Sequence, residues 1–166
     1  TSISNRKYNL QLALGCTVIG LAVWFLCTLL PIILYGKTFL ADTNLTYYLT
    51  NSFMMSLSAL SLAFFVSTFI DKEQLVSAVV NVVSLGMSFL CGVFVNMEIL
   101  GKSVQKIAQF LPVYWYEIAN NLLKSHNTFS GTQIHTLYTC YGIQLLFALA
   151  FLSLALIAGR MRRQTV

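Results

Sequence analysis

The apolar positions of this chain gather into four long runs without a single charge: 8–36, 43–70, 74–97 and 125–159. Each run can supply the roughly 20 residues that cross a hydrocarbon core about 30 Å thick. Lipid offers no partner for a backbone N–H or C=O, so a crossing segment must bond to itself, and each run predicts a helix. The predicted spans cover about 10–35, 47–70, 74–95 and 136–159. Pro31 stands near the far end of the first, and the charged turn Asp71-Lys72-Glu73 divides the second from the third. The expected fold class is all-α: one polytopic transmembrane helix bundle occupying 1–166.

The pattern changes between the third and fourth spans. Over 98–124, Val104, Ile107, Ala108 and Leu111 recur at i, i+3, i+4, i+7, with Lys102, Gln105, Lys106 and Gln109 facing away. Pro112 interrupts this helix, because it lacks an N–H and clashes with a preceding carbonyl. A second pattern follows, with Trp115, Ile118, Ala119 and Leu122 on one face and Glu117, Asn120, Asn121 and Lys124 on the other. Two short amphipathic helices bent at a proline are predicted, lying along the outer interface or re-entering the membrane.

Composition agrees with the membrane reading. Apolar residues make up 57% and charged residues 9%, whereas a soluble domain averages roughly 25% charged. A first apolar run this long, followed by three more, is not a cleaved signal peptide. The net charge of +5 forms no stripe suited to nucleic acid. Instead Arg6 and Lys7 precede the first span, while Arg160, Arg162 and Arg163 follow the last, as clusters that set topology do. With both termini cytoplasmic, six basic residues (Arg6, Lys7, Lys72, Arg160, Arg162, Arg163) lie inside and four (Lys37, Lys102, Lys106, Lys124) outside. Cys16, Cys27, Cys91 and Cys140 sit in or beside apolar runs without CxxC spacing, and read as small packing residues.

The motif search turns up little catalytic chemistry. There is no Walker A loop, so this chain holds no P-loop for ATP. HExxH, GxSxG and metal-spaced His/Cys clusters are missing too, leaving His126 and His135 as solvated residues of the connecting segment. Asn44-Leu45-Thr46 has the form of a glycosylation sequon close to the membrane.

Two stripes carry more information. In the second span Ser52, Ser56, Ala59, Ala63 and Ser67 follow one another at spacings of 4, 3, 4 and 4. This is a small face along which another helix can approach closely. In the third span Ser77, Asn81, Ser84, Ser88 and Gly92 repeat the same spacing. Such a polar stripe within lipid must face protein or a wet cavity, and so either lines a translocation path or bonds helix to helix. Carriers driven by ion gradients keep ionisable groups near mid-membrane. Here Glu98 and Glu117 are the only candidates, both at the expected outer face, so an externally powered transporter is favoured.

The stretch Gly92-Val93-Phe94-Val95-Asn96-Met97-Glu98-Ile99-Leu100-Gly101, then Val104 to Pro112 and the aromatic run Tyr114-Trp115-Tyr116, resembles the type-2 ABC exporter permeases. Their last three helices share this order: a span ending in Gly, a bend, an amphipathic outer helix, a Pro, then aromatics. The resemblance covers about 50–166. It implies a permease in the plasma membrane of a bacterium that dimerises with a second permease copy and couples to ABC ATPase subunits. ATP and Mg would sit on those ATPases, with no cofactor in this chain. It also implies an outer gate, here mapped to Glu98, Pro112, Tyr114, Trp115 and Glu117. Asn96 and Gly101 stand where family members often carry Pro. The family's domain has six spans, so the expectation is that two N-terminal helices are lacking here. The alternative is a structural or sensory membrane subunit that transports nothing; an adjacent gene for an ATPase, or for a histidine kinase, separates the two.

Overall fold

The computed structural model describes residues 5–70, 72–95, 97, 99–126 and 129–164, without the side chains of 5–14, 16, 73, 160 and 162–164. Asp71 and Glu98 lie outside the described residues. The rest forms seven helices: α1 (Asn5–Tyr35), α2 (Lys37–Leu40), α3 (Leu45–Ser67), α4 (Glu73–Leu90), α5 (Lys102–Ala108), α6 (Pro112–Ser125) and α7 (Gly131–Gln164). Three are long and apolar enough to cross a membrane, over Thr17–Tyr35, Leu45–Ser67 and Gly131–Gly159, and a shorter apolar helix covers Gln74–Leu90.

The third span is shorter than its apolar run because Gly92 ends it. Gly92 adopts φ +94, a region closed to most side chains. The Val93 N–H then bonds back to the Ser88 carbonyl at 3.1 Å, the six-to-one closure of a Schellman cap. α1 likewise stops at a glycine, Gly36, whose φ is +51. Pro112 begins α6 rather than bending it, since its missing N–H costs nothing at a first helical position.

Side-chain pairs give the helix directions. α7 runs parallel to α3: Tyr141 reaches Tyr47, Gln144 reaches Asn51, and Phe151 lies 6.1 Å from Phe65. α1 runs antiparallel to α3, with Trp24 against Phe53 and Gly20 against Leu60. The Asn5 end of α1 and the Gln164 end of α7 therefore share one end of the bundle. One buried cluster comprises Ala119, Leu123, Leu137, Cys140 and Tyr141, where α6 and α7 meet α3. A second comprises Cys91, Ala108 and Val113 beneath Met55 and Met87. Elsewhere large apolar side chains face outward, Ile33 and Leu34 being 74% exposed, as expected of a surface whose solvent is lipid.

Candidate functional site

α6 penetrates the bundle. Near the start of α3, Asn44 donates from Nδ2 to the carbonyls of Leu123 (3.2 Å) and His126 (2.8 Å), at the end of α6. Two turns further along α3, Asn51 Nδ2 donates to the Tyr116 carbonyl at 3.0 Å and to Asn120 Oδ1 at 2.9 Å. Deeper still, Met55 packs against the buried cluster that includes Val113 at the start of α6. α6 thus runs antiparallel to α3, and its N-terminus lies about 16 Å below Asn44 at 1.5 Å per residue. That is about half of a 30 Å hydrocarbon core. α6 is therefore built into the bundle rather than laid upon it.

Buried amides hold it there. Asn51 and Gln144 are both 0% exposed. Gln144 Nε2 donates to Asn51 Oδ1 at 2.9 Å, and Ser58 Oγ donates to the Gln144 carbonyl at 2.8 Å. The amides form a chain from α7 through α3 to Asn120 on α6. Gln144 Oε1 is buried with no partner among the described residues. Burying a polar group without a bond is costly, so these side chains fix which helices pair and in what register. The sequence-level reading passed over Asn51, Ser58 and Gln144. Their signal was present: three polar residues, each within a charge-free apolar run.

Asn120 belongs to the predicted polar face of α6, yet it meets Asn51 on α3, while Asn121 and Lys124 of the same face are exposed. Glu117 stands one turn earlier on α6. It is half-buried, with Asn121 Nδ2 at 3.5 Å. Burial pushes its carboxyl above the usual carboxylate range; hydrogen bonds from Asn120 and Asn121 and the charge of Lys124 partly offset this. The aromatic run braces the hairpin turn, with Trp115 Nε1 donating to the Gln109 carbonyl at 2.9 Å and Tyr114 edge-on to Trp115 at 5.4 Å. The Asn44 amide is only 2% exposed and committed to α6, so it is no glycosylation acceptor in this fold.

The two stripes sit on opposite sides of cavities. A cavity of about 280 Å³ between α3, α4 and α6 is lined by Ser84, Ser88, Ala59, Ala63, Pro112 and Tyr116, among others. The hydroxyls of Ser84 and Ser88 donate to carbonyls one turn back, Val80 and Ser84 respectively, which spares them a partner across the cavity. Gly92 is half-buried at the end of α4, whereas Ser77 and Asn81 are exposed, and Asn81 has no side-chain partner among the described residues. On α3, Ser52, Ser56, Ala59 and Ala63 line a larger cavity of about 1120 Å³ shared with α1 and α6. Ser67 is exposed at the end of the helix and bonds its own backbone, Oγ to the Phe64 carbonyl at 2.7 Å. α1 touches the small face through Trp24, whose Nε1 donates to Ser52 Oγ at 3.1 Å. The closer packing, of α3 on α7, uses the Asn51–Ser58 side.

The sequence pattern of the family described as ABC-2 family transporter protein matches residues 2–159. No curated protein and no solved structure matches the chain.

Proposed function

Since the chain belongs to the ABC-2 family of transporter proteins, we propose that it is the membrane permease of an ATP-driven exporter, moving substrate outward by alternating access. Membership already makes it a membrane component of an ABC transporter; direction, gate and partners are the finer reading. The observation that supports it most is α6, seated half-way along α3 by exchangeable amide bonds. A helix held to α3 by Asn44 and Asn51 has two separate anchor points. It can release one while keeping the other, as a gate must.

In this reading the Asn44 end faces outward, and Pro112, Tyr114, Trp115 and Glu117 cap the path below it. Glu98 belongs to the same gate but lies outside the described residues. The path follows the smaller cavity between α3, α4 and α6, past Ser84 and Ser88, with Ser77, Asn81 and Gly92 continuing the line. Both termini and the turn at Lys72 then face the cytoplasm, where ABC ATPase subunits bind nucleotide and Mg. A second permease copy completes the path, and the exposed Asn81 amide turns towards it. This chain performs no covalent chemistry; its residues line, seal and reopen.

The test is reconstitution of the full-length protein with its ATPase in liposomes, reading ATP hydrolysis and export of a hydrophobic cationic dye. Cysteines replacing Asn51 and Asn120, bridged by a short bis-maleimide, tie α6 to α3. Loss of export with nucleotide binding intact supports the gate. Export at the unbridged rate from the tied protein refutes it.

A further inference from the structure

The larger cavity is not part of the proposed path, and its lining points to a ligand of its own. Along its floor lie Gly20, Val23, Leu60 and Ala63, and its mouth holds Asp42, Lys124, Asn120 and Tyr48. From Tyr48 to Ala63 the α3 wall rises about 22 Å, more than one leaflet's share of a hydrocarbon core about 30 Å thick. The volume of about 1120 Å³ lies at the upper edge of the roughly 300–1,000 Å³ of small-ligand pockets. α1 meets α3 where Gly20 touches Leu60 and Trp24 touches Ser52 and Phe53, yet the α1 lining residues Ile19, Val23 and Cys27 are themselves exposed, so the cavity is open on the α1 side.

The mouth decides the chemistry. Asp42 and Lys124 carry opposite charges at the same end, and neither forms an ion pair among the described residues. Asp42 Oδ1 accepts from the Asn44 N–H at 2.8 Å, which fixes the carboxylate at the head of α3. Lys124 lies exposed on the last turn of α6, two turns beyond Glu117. One headgroup with an ammonium and a phosphate is complementary to both charges at once. We propose that this cavity is a binding site for a zwitterionic phospholipid, with its acyl chain along Ser56, Ala59 and Ala63 and its headgroup between Asp42 and Lys124. The site does not depend on the transport reading, because its occupancy needs neither ATP nor a partner ATPase.

Trp24 in the wall supplies the assay. The full-length protein with Trp24 as its single tryptophan (Trp115→Phe, and any tryptophan outside 1–166 likewise replaced by Phe) goes into nanodiscs doped with phospholipids brominated on their acyl chains. Brominated phosphatidylethanolamine is expected to quench Trp24 at a mole fraction about tenfold lower than brominated phosphatidylglycerol, the size of one charge-assisted hydrogen bond. Asp42→Asn should erase that preference, and Ala59→Phe should fill the cavity and remove the saturable quench. If Ala59→Phe fails to fold, the headgroup comparison in the Trp115→Phe protein decides alone. Quenching that tracks bulk mole fraction whatever the headgroup overturns the site. So does a Trp24 shielded from every lipid while Cys27, exposed in the same wall, cross-links to a second copy, since the occupant is then protein.

Discussion

Replacing Asn51 with Leu tests the buried amides directly. The side chain makes three hydrogen bonds: to the Tyr116 carbonyl, to Asn120 Oδ1 and from Gln144 Nε2. Their loss is unequal. The Tyr116 carbonyl keeps its place in the α6 ladder, and Asn120, lining the larger cavity, can rehydrate. Gln144 is fully buried and its donor is stranded, a penalty of roughly 1–3 kcal/mol. Interhelical hydrogen bonds in membranes average only about 0.6 kcal/mol, with a maximum near 1.7, which bounds the other two from above. Asn51→Leu should therefore cost about 2–4 kcal/mol. Gln144→Leu should cost less, because it also removes Oε1, which has no partner to lose. The double replacement should fall short of the sum by about 1–2 kcal/mol, since neither variant then strands the other's polar atom. Reversible unfolding in mixed micelles or steric trapping in bicelles measures all three. An Asn51→Leu effect within about 0.5 kcal/mol of zero, or additivity of the pair within about 0.5 kcal/mol, would show that the amides do not hold α6 in place.

Gly92→Ala places a Cβ 2.6 Å from Met97 Cγ at φ +94, so it should destabilise by about 1–2 kcal/mol from the backbone alone, read as a lower thermal midpoint in detergent. Ser58→Leu should disrupt α3–α7 packing, because Ser58 is 0% exposed and overpacking costs about 1–3 kcal/mol; Ala59→Leu, one residue on but lining the cavities, should leave the thermal midpoint nearly unchanged. Glu117 has a carboxyl raised by burial, so the folded state favours its neutral form. The stability penalty is absent below the ordinary glutamate range near 4.3 and is complete once pH passes the raised folded value. Melting curves across that window should fall with rising pH in the parent protein and flatten in Glu117→Gln.

Several features were legible in the linear pattern because lipid imposes a one-dimensional rule. Charge-free length alone predicts α1, α3 and α7, and Pro112 alone divides α5 from α6. The third span was overextended to 95 because hydropathy does not register the backbone angle at Gly92, although the glycine itself was visible. α6 shows the limit of amphipathic reasoning. Its period placed Ala119 on the apolar side, and the structure buries it; Asn120 sat on the side assigned to water, and the structure turns it to Asn51. A polar face means either solvent or another polar group, and periodicity cannot distinguish them.

The amino-acid pattern by itself determined that this is a helical membrane bundle with a broken helix pair inserted between its last two apolar runs. Those properties follow from transfer free energy and backbone bonding, which act residue by residue. Only the tertiary structure decided that α6 stands beside α3, that Asn44, Asn51, Ser58 and Gln144 tie three helices together, and that Asp42 and Lys124 share one mouth. Those are pairings across 65 to 93 residues of chain and across separate elements. A lone amide in an apolar run says that it needs a partner, and the fold supplies which.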